Sequence, residues 1–324
     1  MHRSMIVGVF AAAAIGLSGL ASAETWDMPT EQAESSLTGI ADLAFAKAVA
    51  EKTGGTIEIK PHFGGSLGYR SADQYDAVGT GSLFIADTYT GPLVGYNAIW
   101  QVSALPFLTA DIADARRLYQ ASADAYREIL ANDGQVLLFT IPWTPSGIWS
   151  RKAVVAPADI EGLKMRVFDP TGEVTFRAAG ALPVSLSFAD VIPQLTTGGI
   201  DAVLTSAEGG YQNKFADLLS NFTSINYASP LSIIHVNREK WESLPDETRS
   251  AIEQAAAETE AMIWALASDR EQEVFAKMKG DGVTISMPDE ALRSLLRGAA
   301  AEAISGWADK TGDQGKAILK AYAD

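Results

Sequence analysis

The amino-acid sequence predicts an α/β protein with largely parallel sheets and short crossover connections. Between residues 25 and 237, segments with apolar residues at alternate positions take turns with segments of helical periodicity. From residue 246 to residue 279, helical periodicity runs almost without interruption. At 1.5 Å per residue, one helix of this length would be about 50 Å long, enough to tie two lobes together. Two helices separated by an unmarked kink are the alternative.

The boundaries of these elements follow from apolar spacing and from the Gly and Pro residues that end them. Thr53-Gly54-Gly55 ends the first helix, and the region around Pro145 separates the first half of the chain from the second. We expect strands at 25–28, 56–63, 83–87, 135–141, 148–152, 162–168, 202–205 and 232–237. We expect helices at 35–52, 71–78, 115–132, 173–179, 246–279 and 289–322, the last interrupted near Gly312.

Residues 1–23 have the features of a cleavable export signal. Arg3 precedes an apolar run, and Ala21-Ser22-Ala23 is a small-x-small cleavage site. The run is short for a membrane span, and no second run of about 18 apolar residues follows it. The sequence contains no cysteine, hence no lipid-attachment cysteine and no disulfide framework. We therefore expect a soluble protein of the bacterial periplasm that begins at Glu24.

The formal net charge of −15 argues against nucleic acid and anionic membrane surfaces as partners. An acidic protein that binds an anion must do so through a local, desolvated cation. Arg166 is a candidate for that role, because it lies in an otherwise apolar strand just ahead of the predicted helix at 173–179. Its guanidinium could hold a carboxylate with two parallel hydrogen bonds, aided by helix N-terminal amides. On this segment alone, a strand-edge arginine in a surface ion pair is the alternative.

Aromatic residues cluster at predicted strand ends and in loops. In open α/β sheets, ligands bind at the carboxyl ends of the strands. Several aromatics at such positions could line a site for the organic body of a carboxylate, although core packing is the alternative for any one of them. The candidates are Tyr69, Tyr89, Trp143, Trp149, Phe168 and Tyr211.

Catalytic, metal and cofactor motifs are weak or missing in the sequence. Gly64-Gly65-Ser66-Leu67-Gly68 matches the nucleophile elbow of hydrolases, which makes a secreted serine hydrolase using Ser66 an alternative of another class. That mechanism needs a histidine base, and the mature chain offers only His62, close in sequence, and His235, inside an apolar strand. The glycines more simply allow a tight turn. Without cysteine, only an all-carboxylate metal site is possible, so we expect no enzyme, no metal and no cofactor.

Taken together, a series of short motifs resembles the DctP-type solute-binding proteins of tripartite ATP-independent periplasmic (TRAP) transporters. The resemblance covers nearly the whole mature chain, and the order and spacing of the motifs carry it. The motifs are Phe63-Gly64-Gly65-Ser66-Leu67-Gly68, Thr90-Gly91-Pro92-Leu93, Leu105-Pro106-Phe107-Leu108, Ala158-Asp159-Ile160-Glu161-Gly162-Leu163-Lys164-Met165-Arg166-Val167, Gly180-Ala181-Leu182-Pro183-Val184, Leu195-Thr196-Thr197-Gly198-Gly199-Ile200-Asp201-Ala202, Val236-Asn237-Arg238-Glu239-Lys240-Trp241 and Leu244-Pro245.

The resemblance implies a two-lobed α/β periplasmic binding protein. Each lobe would have a mixed or mostly parallel sheet flanked by helices, and a long helix would span both. We expect the first lobe at 24–146 plus about 233–265, the second at 147–232 plus about 266–288, and a C-terminal helical segment at 289–324. The small and large membrane subunits of the transporter would be the protein partners of a monomeric receptor.

The resemblance also implies that Arg166 is the carboxylate-binding arginine. Thr205 replaces an asparagine that often touches the ligand, and Thr90 is a further candidate contact. Many members carry a second arginine ahead of the Pro145 region, where this sequence has tryptophan and serine. We therefore expect a monocarboxylate with an apolar or aromatic body, with a dicarboxylate or a sugar acid as the alternative.

Overall fold

The computed structural model describes residues 23–186 and 188–324, so residues 1–22 of the predicted export signal lie outside the described part of the chain. The described residues form a two-lobed α/β protein in which helices flank the sheets. The first lobe holds a two-stranded and a three-stranded sheet, and the second lobe holds a six-stranded sheet. The predicted fold class is thus confirmed.

The first lobe combines parallel and antiparallel pairing. Its strands are β1 (Glu24–Pro29), β2 (Ile57–His62), β3 (Ile85–Tyr89), β4 (Gln135–Pro142) and β10 (Leu231–Asn237). Strands β1 and β2 are parallel, but β10 returns from the second lobe and lies between β3 and β4, antiparallel to both. The prediction of largely parallel sheets is wrong for this three-stranded sheet, because a buried central strand has the same apolar pattern in either direction.

The second lobe is built on a mixed sheet. Its strands are β5 (Ser146–Ser150), β6 (Lys164–Val167), β7 (Leu182–Ser185), β8 (Ala202–Ser206), β9 (Asn221–Thr223) and β11 (Thr284–Ser286). Their order across the sheet is β11-β9-β5-β8-β6-β7. Strand β6 lies between β8 and β7 and is parallel to both, which places Arg166 between Val203 and Val184.

Helices cover the faces of the sheets and connect the lobes. They are α1 (Leu37–Lys52), α2 (Ser71–Gly79), α3 (Ile112–Asn132), α4 (Pro157–Ile160), α5 (Pro170–Ala178), α6 (Val191–Thr197), α7 (Ala207–Gln212), α8 (Arg238–Ser243), α9 (Asp246–Gly280) and α10 (Glu290–Ala323). None of the helices in the described part of the chain combines the length and apolar character needed to cross a membrane.

Helix α9 ties the two lobes together. Its 35 residues run without a break in helical geometry, so the alternative of two kinked helices is wrong. The helix packs on α1 and β4 in the first lobe and on α7 and β11 in the second. At 1.5 Å per residue it is about 52 Å long, which is enough to reach across both.

The C-terminal helix α10 also packs on both lobes, against α3 in the first and α5 in the second. The indole of Trp307 donates to the carbonyl of Ala98 at 2.7 Å, and the Tyr322 hydroxyl donates to the carbonyl of Leu108 at 2.9 Å. Gly312 interrupts the helix with a φ of 61°, a backbone conformation that glycine adopts at little cost. The predicted interruption near this residue is confirmed.

Candidate ligand-binding site

Arg166 lies near the end of β6, and strands β7 and β8 pair with it on either side. Its side chain and backbone are only 5% exposed, and it is the only buried lysine or arginine in the described part of the chain. The Nε–H donates to the Leu186 carbonyl at 3.0 Å, and Nη1–H donates to the Leu204 carbonyl at 3.2 Å. These two bonds fix the plane of the guanidinium. Since arginine has five N–H donors, three remain to bind an anion.

No described carboxylate forms an ion pair with Arg166, which distinguishes it from an ordinary buried arginine. Burial lowers the pKa of Arg166 to about 10, while the charges of Tyr89 and Asp169 raise it. The guanidinium therefore remains protonated at neutral pH. A buried cation without a partner is costly unless a ligand supplies the opposite charge.

Tyr89 of the first lobe interacts electrostatically with Arg166 of the second lobe. Burial raises the pKa of its phenol, as does the charge of Asp169, whereas the charge of Arg166 lowers it. Tyr89 ends strand β3 of the first lobe, while Arg166 and Asp169 belong to the second. A residue of the first lobe thus lies within electrostatic range of the guanidinium. This arrangement fits a ligand that is held in the cleft between the two lobes.

Aromatic rings surround this cleft. The Cζ atom of Arg166 is 6.0 Å from the ring centroid of Phe168 and 5.5 Å from that of Phe188. On the other lobe, the ring of Tyr89 is 5.4 Å from that of Trp143, whose indole donates to Ser232 Oγ at 3.2 Å. Such rings offer apolar surface and also interact favourably with the cation.

Asp169 is a second buried charge beside Arg166. It caps helix α5: Oδ1 accepts from the Gly172 amide at 2.7 Å and from Thr171 Oγ1 at 3.0 Å. Burial raises the pKa of Asp169 to about 6, although these hydrogen bonds and the charge of Arg166 lower it. Its other oxygen, Oδ2, is buried and has no hydrogen-bond partner among the described residues.

Comparison with known proteins agrees with this arrangement. A model of the bacterial extracellular solute-binding proteins, family 7 (DctP), matches residues 28–309. The chain belongs to this family. Members of this TRAP-transporter receptor family bind small organic acids and work with membrane subunits.

Several relatives of this DctP-family protein have been characterised. A marine metagenome TRAP solute-binding protein specific for pyroglutamate is 29% identical, with 93% of this chain and 99% of that chain covered and a TM-score of 0.87. The pyroglutamate-binding receptor DctP6 of Bordetella pertussis is 26% identical, with the same coverage and TM-score. The ectoine/5-hydroxyectoine-binding periplasmic protein UehA of Ruegeria pomeroyi is 26% identical, over 97% of this chain and 94% of its own.

The structure brings four of the residues predicted from the sequence together: Arg166, Phe168, Tyr89 and Trp143. Thr90 follows Tyr89, but its hydroxyl donates to the Leu231 carbonyl at 2.8 Å and so stabilises the fold. Thr205 follows Leu204, the residue whose carbonyl accepts from Arg166, and is itself buried.

Three predicted aromatics lie elsewhere. Trp149 is fully buried in a core cluster of the second lobe, where it packs on Phe222 and donates to the Ser206 carbonyl at 3.1 Å. Tyr211 lines a small groove of about 100 Å³, and its hydroxyl interacts with Asp281. Tyr69 packs on a satellite cluster of the first lobe. For Trp149 and Tyr69, apolar packing explains the position.

Asp169 and Phe188 are candidate site residues that were not predicted from the sequence. Asp169 falls between the predicted strand at 162–168 and the predicted helix at 173–179, where no function was expected. An acidic residue in that segment, three positions after the strand arginine, was the available signal. Phe188 carries no such signal, because its contact with Arg166 depends on how the chain after β7 folds back.

The geometry around Ser66 does not support a hydrolase. Ser66 is exposed in a turn where Gly64, Gly65 and Gly68 have φ values of 63°, 68° and 81°, which explains the glycines by backbone geometry. The imidazole of His62 contacts Asp27 at 2.6 Å, and that of His235 is fully buried beside Thr88 at 2.8 Å. Within residues 23–186 and 188–324, no group of three or more His, Asp or Glu side chains could hold a metal ion.

Proposed function

We propose that this protein is the extracytoplasmic receptor of a TRAP transporter and captures a small monocarboxylate between its lobes. The observation that carries the proposal is Arg166, a buried cation with three N–H donors to offer and no carboxylate partner among the described residues. The ligand carboxylate would take these donors as a bidentate acceptor. Closure of the lobes would then shield the pair from water. A charged hydrogen bond is stronger in such an environment of low dielectric constant.

The charge balance of the site favours a monocarboxylate over a dicarboxylate. A second ligand carboxylate would need a second desolvated cation, and Arg166 is the only buried lysine or arginine described. Arg270, whose side chain is 11% exposed, already pairs with Glu208 and Glu273. The pyroglutamate bound by two similar proteins is a monocarboxylate with a compact ring. Tyr89, Trp143, Phe168 and Phe188 would enclose such a ring.

The remaining features of the receptor stay part of the proposal. Residues 1–23 would direct export and be removed, and the mature protein would act as a monomer without catalytic turnover. The first lobe would comprise 24–146 plus about 233–265, and the second 147–232 plus about 266–288. The closed, liganded form would be the one that the membrane subunits recognise.

A thermal-melt screen tests the proposal. Residues 24–324 would be unfolded and refolded to remove any co-purified ligand, then heated with pyroglutamate, ectoine, aliphatic and aromatic monocarboxylates, succinate and glucuronate. A ligand at 1,000 times its Kd adds about 4 kcal/mol, a shift of several degrees. We expect shifts confined to carboxylates and largest for monocarboxylates. Shifts only with amines or neutral sugars would contradict the role of Arg166.

A further inference from the structure

Asp169 is a buried carboxylate whose hydrogen bonds leave one oxygen unused. The residue is 3% exposed. Its Oδ1 accepts two hydrogen bonds from the first turn of α5, whereas Oδ2 accepts none. An ionised carboxylate can only accept, so Oδ2 needs a donor. Leaving a buried charged acceptor without a donor is unfavourable, and it is rare in folded proteins.

The neighbouring protein groups do not give Oδ2 a hydrogen bond of ordinary length and angle. The side-chain amide of Gln101 interacts with Asp169 through a hydrogen bond that lowers its pKa, but its well-formed hydrogen bond goes to Thr171 Oγ1 at 3.1 Å. The hydroxyl of Tyr227, whose pKa the charge of Asp169 raises, interacts with Thr171 and Thr175. Asp169 Oδ2 is therefore not saturated by the fold.

The position of Asp169 relates this acceptor to the ligand. The residue follows Arg166 by three positions, and the charges of Arg166, Tyr89 and Asp169 act on one another. A carboxylate on Arg166 places the rest of a small ligand next to these groups. The site then offers hydrogen-bond donors at Arg166 and an acceptor at Asp169. This arrangement is complementary to a ligand that carries a carboxylate and, beside it, an N–H or O–H donor.

We propose that Asp169 determines specificity by accepting a hydrogen bond from a donor that the ligand carries beside its carboxylate. The inference rests on the proposed function and narrows the ligand to monocarboxylates with an N–H or O–H group attached directly to the carbon that bears the carboxylate. Lactones, keto acids and plain alkanoates lack this donor and would leave Oδ2 unpaired. A charged hydrogen bond of the usual strength makes that difference about 10- to 150-fold in Kd.

Matched ligands and two conservative variants test this inference by titration calorimetry on refolded protein. Pyroglutamate is compared with 5-oxotetrahydrofuran-2-carboxylate, in which an oxygen replaces the ring N–H, and lactate is compared with pyruvate as the hydroxyl pair. Asp169→Asn keeps the helix cap, because asparagine is an equally good N-cap, but removes the charged acceptor. Asp169→Ser also retains a residue that can cap the helix, and it shows whether the effect of Asp169→Asn is specific to the asparagine amide.

In the wild-type protein we expect the donor-bearing member of at least one pair to bind about 10- to 150-fold more tightly. Which pair shows the preference identifies N–H or O–H as the donor. Both variants should bring that ratio close to one while unfolding as cooperatively as wild type. The role of Asp169 would be overturned if the wild type bound both members of each pair equally tightly, or if the ratio were unchanged in both variants. Either result would still agree with a carboxylate receptor. Failure of every carboxylate to bind would overturn both.

Discussion

Replacement of Arg166 and of Arg270 by methionine should have opposite effects on ligand binding and on stability. Arg166 is buried with no carboxylate partner in the described chain, whereas Arg270 pairs with Glu208 at 2.7 Å. Methionine keeps a similar length of apolar side chain but removes the charge. Arg166→Met should strongly weaken ligand binding with little change in the stability of the ligand-free protein. Arg270→Met should destabilise the fold instead.

The magnitude for Arg166 follows from its surroundings. A pKa of about 10 in place of the usual ~12.5 corresponds to about 3 kcal/mol by which the surroundings, chiefly burial, disfavour the charged form after the charges of Tyr89 and Asp169 are included. The two hydrogen bonds to the Leu186 and Leu204 carbonyls return about 1 to 1.5 kcal/mol each. These contributions nearly cancel, so the free energy of unfolding without ligand should change by less than about 1 kcal/mol. Ligand binding should weaken by about 2–5 kcal/mol, since the ligand carboxylate loses its buried partner.

For Arg270 the balance is reversed. Its side chain is 11% exposed and that of Glu208 is 9% exposed, and Nη2 also donates to the Ser35 carbonyl of the first lobe at 2.9 Å. Removing one partner of a buried ion pair leaves the other charge uncompensated, which costs about 3–5 kcal/mol. Arg270→Met should lower the free energy of unfolding by about this amount.

Urea unfolding of the refolded proteins, followed by calorimetric titration with the best ligand of the screen, measures both quantities. If Arg166→Met destabilised the ligand-free protein as much as Arg270→Met, the guanidinium would have a structural partner and the reasoning would fail. It would fail equally if Arg166→Met retained near-normal affinity.

Two further predictions concern the first lobe. A Cβ at position 91 would overlap the ring of Tyr89, whereas a Cβ at position 95 would meet no atom within 4 Å. Gly91→Ala should therefore weaken ligand binding at least several-fold, and the control Gly95→Ala should not. Calorimetric titration measures both affinities. Burial and mutual repulsion raise the pKa of Asp42 well above its usual range, and burial raises that of Asp87 to about 6. The folded protein therefore holds protons that the unfolded chain releases, and its stability should fall as pH rises from about 4 through 6 and above. Asp42→Asn should flatten this fall in urea unfolding between pH 5 and pH 8, and a slope equal to wild type would contradict the assignment.

The sequence was sufficient to predict the α/β class and the long helix, and it drew attention to Arg166 as a candidate. Each of these depends on a pattern along a short stretch of chain. Arg166 stood out because the positions around it alternate as in a buried strand, where a lone cation is unusual. Helix α9 was predicted because its helical period persists without a Gly or Pro. The antiparallel pairing of β10 was missed, because the direction of a strand leaves no mark on its apolar pattern.

Only the tertiary structure decided which residues accompany Arg166. Trp149 and Tyr89 are both aromatic residues near strand ends, yet one packs in a core and the other lies within electrostatic range of Arg166. Aromatic side chains suit either environment, so their type cannot distinguish them. The unused oxygen of Asp169 is likewise invisible in the sequence, because it depends on which donors the two lobes bring within reach. Periodicity reports what a segment buries, whereas the composition of a site depends on contacts between segments far apart in the chain.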